Sequence, residues 1–299
     1  MSSLSNNFKK KLLFYEGLLL LQCFIWGSGN PVAKIGLQFF SPFYLLSFRF
    51  ISAFLIFIFF YHKQILYDYS YRAFCLSIKV SIFTAISFVS SIVALIYTTA
   101  INVGFIISIA IIFVPLFSFL ILKSKIEKKM FFPITLVVAG LFFFCNVGGF
   151  IILGKGELLA LIGALSGACM LVLTSKYLKK VSTLFISTVQ TGFTGFFCLI
   201  FAMIFENFPD FTNIPQIAWG TIAYMAIFCT CIAYIIQNSA LKNIPAIIVA
   251  FLCTTEPIFT AITSYFILGE KLSFNGYFGG TLMIIGIGIA SKLTLTKVN

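Results

Sequence analysis

The stretch IIVAFLCTTEPIFTAITSYFIL, residues 247–268, carries a single charge, Glu256, with Pro257 directly after it. About 20 apolar residues are what an α-helix needs to cross the hydrocarbon core of a bilayer. A carboxylate at the centre of such a run costs about 2.5–3.5 kcal/mol on insertion scales, so it persists only where it is protonated, paired or turned toward water. Pro257 has no N–H to give to the Cys253 carbonyl and bends a helix there, leaving a bare acceptor beside the acid. The stretch therefore reads as a membrane-spanning helix with a bent, polar centre. Two roles stay open for Glu256: a proton-coupling or substrate-amine site, or a carboxyl hydrogen-bonded between helices to hold the fold.

The rest of the chain follows the same pattern. Its 299 residues are 61% hydrophobic and 9% charged, with mean hydropathy +1.09. A soluble domain carries about 25% charged residues, so this chain has too little charge to clothe a soluble surface. Most of the 39 Phe read as lipid-facing filler, since Phe is frequent here alongside Ile, Lys and Asn. Ten apolar runs are long enough to count as spans: 12–33, 42–62, 73–97, 102–122, 131–148, 156–175, 184–205, 215–236, 244–268 and 275–292. The expected fold class is an all-α membrane protein with ten transmembrane helices. No connection is long enough for a soluble domain, so function belongs in the helices or at their ends.

The net charge of +12 does not point to nucleic acid, because the basic residues cluster between the runs as membrane topology requires. Lys9, Lys10 and Lys11, Lys63 and Arg72, Lys123, Lys125, Lys128 and Lys129, Lys176, Lys179 and Lys180, Lys242, and Lys292 with Lys297 fall on one side. The other side holds Lys34, Lys155 and Lys271, together with Glu206 and Asp210. The bias puts both termini in the cytoplasm. A Lys triplet precedes the first run as in a signal peptide, but the run is too long for one and lacks a small-x-small cleavage site.

Eight Cys lie inside apolar runs with no C-x-x-C spacing, and the single His, His62, has no local partner. A disulfide frame, a zinc site or another metal centre is not expected, nor is a cofactor. With one His and no Asp inside a span, a membrane-embedded enzyme is not expected either.

The chain matches itself at an offset near 141. Lys34 pairs with Lys176, Arg49 with Gln190, YTTA (97–100) with QNSA (237–240), FVPLF (113–117) with TEPIF (255–259), and KIEKK (125–129) with LGEKL (268–272). The expected organisation is a cytoplasmic segment 1–11, a five-helix repeat 12–148, a second repeat 156–292 and a cytoplasmic tail 293–299. Five is odd, so the second repeat enters the membrane inverted. Inverted repeats with a central site are the architecture of secondary transporters.

Three stretches carry a family resemblance. LLLLQCFIWGSGNPVAKIGL (18–37), FYLLSFRFISA (43–53) and TTEPIFTAITSYFILGEKLSFNGYFGGTLMIIGIGI (254–289) resemble the first helix, second helix and most recognisable stretch of the EamA-like branch of the drug/metabolite transporter superfamily. The resemblance covers almost the whole chain. It implies ten helices in two inverted repeats, and export or exchange of a small metabolite across a bacterial inner membrane.

Candidate site residues follow from polarity inside the spans. WGSGNP (26–31) is expected to interrupt the first helix through Gly27, Gly29 and Pro31, and so to expose backbone groups beside Trp26 and Asn30. Alternatively, Trp26 sits at the membrane interface and the glycines allow close packing. Arg49 could take an anionic group such as an amino-acid carboxylate, or snorkel with Lys34 to the interface. Ser77, Ser81, Thr84, Ser87 and Ser91 share one helix face, and Thr230, Tyr234 and Asn238 form a similar row. These rows line a cavity or glue helices together. The substrate or coupling candidates are Glu256, Trp26, Asn30, Arg49, Ser91, Tyr234 and Asn238; the expected helix breaks are Gly27, Gly29, Pro31, Pro115 and Pro257.

The function expected is secondary transport, most simply export of an amino acid or related amphipathic compound by alternating access, since no Walker motif is present. A passive channel or facilitator is the alternative. The partners expected are the small-molecule substrate, membrane lipids and a proton, with no nucleic acid. G-x-x-x-G in GALSG (163–167) and GYFGG (276–280) leaves monomer and weak homodimer both open.

Overall fold

The computed structural model describes residues 2–124, 128–145, 154–271 and 273–296. Among these, regular structure is helical, with no strand. In chain order the helices are α1 (Ser2–Gly36), α2 (Pro42–Tyr67), α3 (Tyr71–Tyr97), α4 (Ala100–Ser108), α5 (Ala110–Leu122), α6 (Phe131–Cys145), α7 (Lys155–Tyr177), α8 (Thr183–Phe205), α9 (Gln216–Ala226), α10 (Ala233–Asn243), α11 (Ala246–Cys253), α12 (Glu256–Leu268) and α13 (Phe274–Thr296). A single π-helical turn, Ile227–Ile232, joins α9 to α10. Taking α4 with α5, α9 with α10, and α11 with α12 as continuous rods, eight segments among the described residues are long and apolar enough to cross a membrane. Residues 146–148 of the expected fifth span, Lys125 and Glu127 of KIEKK, and Lys297 in the tail lie outside the described residues.

Helix ends are fixed by local chemistry. The hydroxyls of Ser70, Thr99 and Ser182 accept the N–H groups of Ala73, Asn102 and Phe185 at 3.1, 3.1 and 3.2 Å, satisfying donors the first helical turn leaves free. The start of α2 is capped from a distance: the Glu206 carboxylate accepts the N–H groups of Phe43 and Tyr44 at 2.9 and 3.0 Å. α12 ends on Gly269 with φ +68°, a left-handed conformation that glycine adopts without a Cβ clash.

The packing pairs elements across the two halves of the chain. α2 lies on α8 and α6 on α13. α3 packs on α7, as α1 packs on α9 and α10; α4 meets α12, as α5 meets α11. α1 also runs along α12, and α7 along α5 and α4.

Two expected breaks are corrected. α1 is continuous through Gly27, Gly29 and Pro31. Its glycines are contact points: a Cβ on Gly27 would stand 2.6 Å from the Phe259 Cβ and 2.8 Å from the Thr260 nitrogen, so Gly27 lets α1 touch the α12 backbone. The Gly27 carbonyl that Pro31 strips of its donor lies 3.1 Å from the Thr263 hydroxyl, which is shared with the Phe259 carbonyl at 2.8 Å. In the first half the rod breaks at Ile109, where two three-residue turns (Ile109 to Ile106, Ile112 to Ile109) replace α-helical bonds; Pro115 sits inside α5. Pro257, in contrast, is the second residue of α12, directly after the break at Thr254 and Thr255. There the two Thr hydroxyls fold back onto the Phe251 and Leu252 carbonyls at 2.6 and 2.8 Å, closing off α11.

The pairing of YTTA with QNSA also differs in space. YTTA forms the α3–α4 corner, whereas QNSA lies inside α10. The longer connection 206–215, against 68–70 in the first half, and the π turn account for the slip.

Candidate functional site

α1, α2, α3, α7, the two broken rods and the π turn with α10 line a cavity of about 140 Å³. One water needs roughly 10–15 Å³ on that scale, so the space exceeds a single water several times over. Most of its wall is apolar, from Phe88, Ile92, Leu95, Ile111, Met170 and Leu171. Its charged and amide side chains are few and chemically opposed: Arg49 from α2, Glu256 from the start of α12, Asn30 from α1 and Gln237 from α10.

Arg49 is held from three directions. Its Nε donates to the Thr230 hydroxyl at 2.8 Å and its Nη2 to the Cys229 carbonyl at 3.1 Å. Its guanidinium carbon stands 4.8 Å from the Phe88 ring centre and 4.9 Å from that of Phe50, cation–π distances. The residue is 6% exposed, and among the described residues no carboxylate pairs with it. The side chain does not snorkel to an interface.

The π turn supplies these acceptors. The Ala233 N–H bonds to Phe228 and Thr230 carbonyls, so the Cys229 carbonyl loses the donor an α-helix would give it. That carbonyl receives Arg49 and also the Trp26 indole N–H at 2.9 Å. The turn thus aims one backbone oxygen at both α1 and α2. No residue type in IFCTCI (227–232) signals it, which is why Cys229 and the turn escape a reading of the sequence.

Glu256 lines the cavity from the first position of α12, and among the described residues its carboxylate has no hydrogen-bond or ion-pair partner. The pocket thus holds a cation without an anion and an acid without a base. Asn30 is nearby in the wall, with its amide 3.5 Å from the Thr260 hydroxyl.

One end of this arrangement is tied. Lys34 Nζ lies 3.1 Å from Glu270 Oε1 and 3.3 Å from the Thr98 carbonyl. The same carboxylate accepts the Ala100 and Ile101 N–H groups, each at 3.3 Å, at the start of α4.

A comparison with known proteins decides what class of molecule this is. The profile of the EamA-like transporter family matches residues 13–145 and again 154–292. The chain belongs to the EamA-like transporter family. An uncharacterized transporter of Archaeoglobus fulgidus is 29% identical over 282 residues, 94% of this chain and 87% of that protein. The uncharacterized transporter YetK of Bacillus subtilis is 28% identical over 202 residues, 64% of this chain and 59% of its own length. A solved structure described as "Crystal structure of protein" superposes with a TM-score of 0.74, at 16% identity, over 93% of this chain and 96% of that one, a likeness of fold alone. The protein is therefore a multi-pass membrane protein of a transporter family, with a family name that denotes transport rather than catalysis.

Within this EamA-like chain the candidate residues divide. Trp26, Gly29, Asn30, Arg49, Ser91 and Glu256 line the cavity together. Tyr234 stands behind the wall with its ring 6.4–6.5 Å from those of Phe88, Phe50 and Trp26, its hydroxyl buried without a hydrogen-bond partner among the described residues. Asn238 is elsewhere, donating to Ser187 at 2.8 Å and Gln190 at 3.3 Å, while Gln190 donates to Thr84 at 3.0 Å. That network joins α3, α8 and α10. The Ser row of α3 mostly packs: Ser77, Ser81 and Thr84 donate to carbonyls one turn back, and Ser87 donates to Gly163 on α7 at 2.9 Å. Ser91 reaches the cavity with its own proton given to the Ser87 carbonyl at 2.7 Å, so it offers an acceptor.

Proposed function

We propose that this protein is a secondary transporter that exports a small zwitterionic, amphipathic metabolite, an amino acid or close relative, across a bacterial inner membrane by alternating access. In this reading ten transmembrane helices form two inverted five-helix repeats with both termini cytoplasmic. The observation that carries the proposal is the pair of unmatched charges, Arg49 and Glu256, in the wall of one apolar cavity. A buried cation without a counter-anion and a half-buried acid without a partner among the described residues are costly to keep. A ligand carrying both complementary charges relieves both. Its carboxylate would meet the guanidinium that Thr230 and Cys229 orient, its amine would meet Glu256, and its apolar part would lie on Phe88 and Ile92. A proton on Glu256 would stand in for the amine when the site is empty.

The repeat is supported by two family matches of similar length and by the packing. α2–α8 and α6–α13 pair each element with its own counterpart, while α3–α7 exchanges with α1–α10, and α4–α12 with α5–α11. Such a swap relation lets one sequence build two states related by exchange of the halves' conformations.

The test is a metabolite screen by thermal shift on purified protein, followed by counterflow in proteoliposomes. Saturable flux with trans-stimulation is expected for a zwitterion; flux that never saturates supports the channel alternative. Glu256→Gln is expected to fold and to lose pH-dependent transport. Wild-type pH dependence in that variant removes the coupling role, and loss of folded protein assigns Glu256 to the fold. Arg49→Gln is expected to weaken zwitterion binding about ten- to hundredfold, as loss of a charge-assisted hydrogen bond of about 1.5–3 kcal/mol requires. Unchanged affinity there contradicts the binding role.

A further inference from the structure

We infer that Lys34 and Glu270 form the latch of a gate over one end of the cavity, a role that rests on the alternating-access reading above. Ala33 and Asn30, beside and one turn before Lys34, line the cavity, and so does Leu95, three residues before Thr98. Lys34, Thr98 and Glu270 therefore meet just beyond that edge of the space. The carboxylate joins three separate elements: the end of α1 through Lys34, the start of α4 through the Ala100 and Ile101 N–H groups, and its own α12–α13 connection. The α3–α4 corner is gripped a second time, because the Thr98 hydroxyl donates to Glu157 at the start of α7 at 2.6 Å. Both acids come from the second half of the chain, and every group they hold comes from the first. Parting the halves at this end requires both grips to release.

The pair is built to be broken. Lys34 keeps 31% of its side-chain exposure and Glu270 14%, so water reaches both and no deeply buried charge is stranded on opening. An ion pair of this kind is worth little, roughly 1 kcal/mol, which shifts a two-state population by about fivefold without freezing it. Glu270 also favours the start of α4 as an anion at a helix N-terminus, so closing the latch orders the broken rod that carries Ile107 and Ser108 in the cavity wall.

The test uses the full-length chain in proteoliposomes, with native cysteines replaced and a single Ala33→Cys probe beside the latch. The readout is the rate of labelling by a membrane-impermeant maleimide added from the Lys34 side. Lys34→Gln and Glu270→Gln are each expected to raise the rate about fivefold, and Lys34→Arg, which keeps the ion pair and leaves Glu270 on α4, to hold it near the starting value. Lys34→Gln leaves the bonds from Glu270 to α4 intact. A rise in Glu270→Gln alone therefore makes Glu270 a helix cap and overturns the latch. Equal labelling in all variants, fast or slow, overturns it too. The measurement needs no substrate, so a failure to find transported metabolites leaves its outcome readable.

Discussion

Lys34 and Lys176 occupy corresponding positions near the ends of α1 and α7, and they do different things. Lys34 is paired with Glu270 across the seam between the halves. Lys176 is exposed and donates only to the Ile121 carbonyl at 3.3 Å, with no carboxylate partner among the described residues. Two similar sequences thus sit in two environments within one molecule. The end near Lys34 is tied by Glu270; at the end near Lys176, residues 125–127, with Glu127 at the position that matches Glu270, lie outside the described residues. In the alternating-access reading proposed above, the end tied by Lys34 and Glu270 is the one whose contacts must part for exchange.

The largest expected effect tests the packing that makes the halves unequal. Gly27→Ala places a Cβ within 3 Å of the α12 backbone, and the region of the second half that corresponds to it already carries Ala168. Gly27→Ala should cost about 1–3 kcal/mol by overpacking, seen as a lowered thermal midpoint in detergent. Ala168→Gly should cost about 1 kcal/mol or less. Equal losses would mean the α1–α12 contact is no tighter than its counterpart. Next comes the π turn, which has no counterpart in α3. Thr230→Val removes the acceptor of Arg49 Nε and should cost about 1–3 kcal/mol in stability, with weaker ligand-induced stabilisation; Thr84→Val, in the polar network away from the cavity, should leave ligand stabilisation intact. Smallest is Lys176→Gln, expected to move the thermal midpoint by less than about 0.5 kcal/mol equivalent, whereas a large loss would show a partner at that end.

Much of the scaffold was legible because lipid imposes a simple rule. Apolar length marks spans, and the run around Glu256 held both the acid and the break that places it at the cavity. Arg49, Trp26 and Asn30 were legible for the same reason, since polar groups inside apolar runs need a wet or paired place. What the residues could not reveal depends on neighbours. Pro31 looked like a break, yet α1 stays whole with Thr263 of α12 beside the Gly27 carbonyl. Asn238 looked like a cavity residue, but Ser187 and Gln190 take its amide. The π turn is a matter of backbone register, and Cys229 contributes through a carbonyl that every residue type has. Glu270 sits just past α12, where an acid reads as ordinary loop charge until Lys34 is seen beside it.

The most direct test of the account is a pair of spin-label distances in the same protein, one across each end. Gln38 with Lys271 spans the latched end and Ser124 with Lys180 the other, all four at exposed positions. In Lys34→Gln the account predicts that the 38–271 distance lengthens while the 124–180 distance shortens, each end moving against the other. Distances that both stay fixed, or that lengthen together, would contradict two halves working in exchange around one cavity.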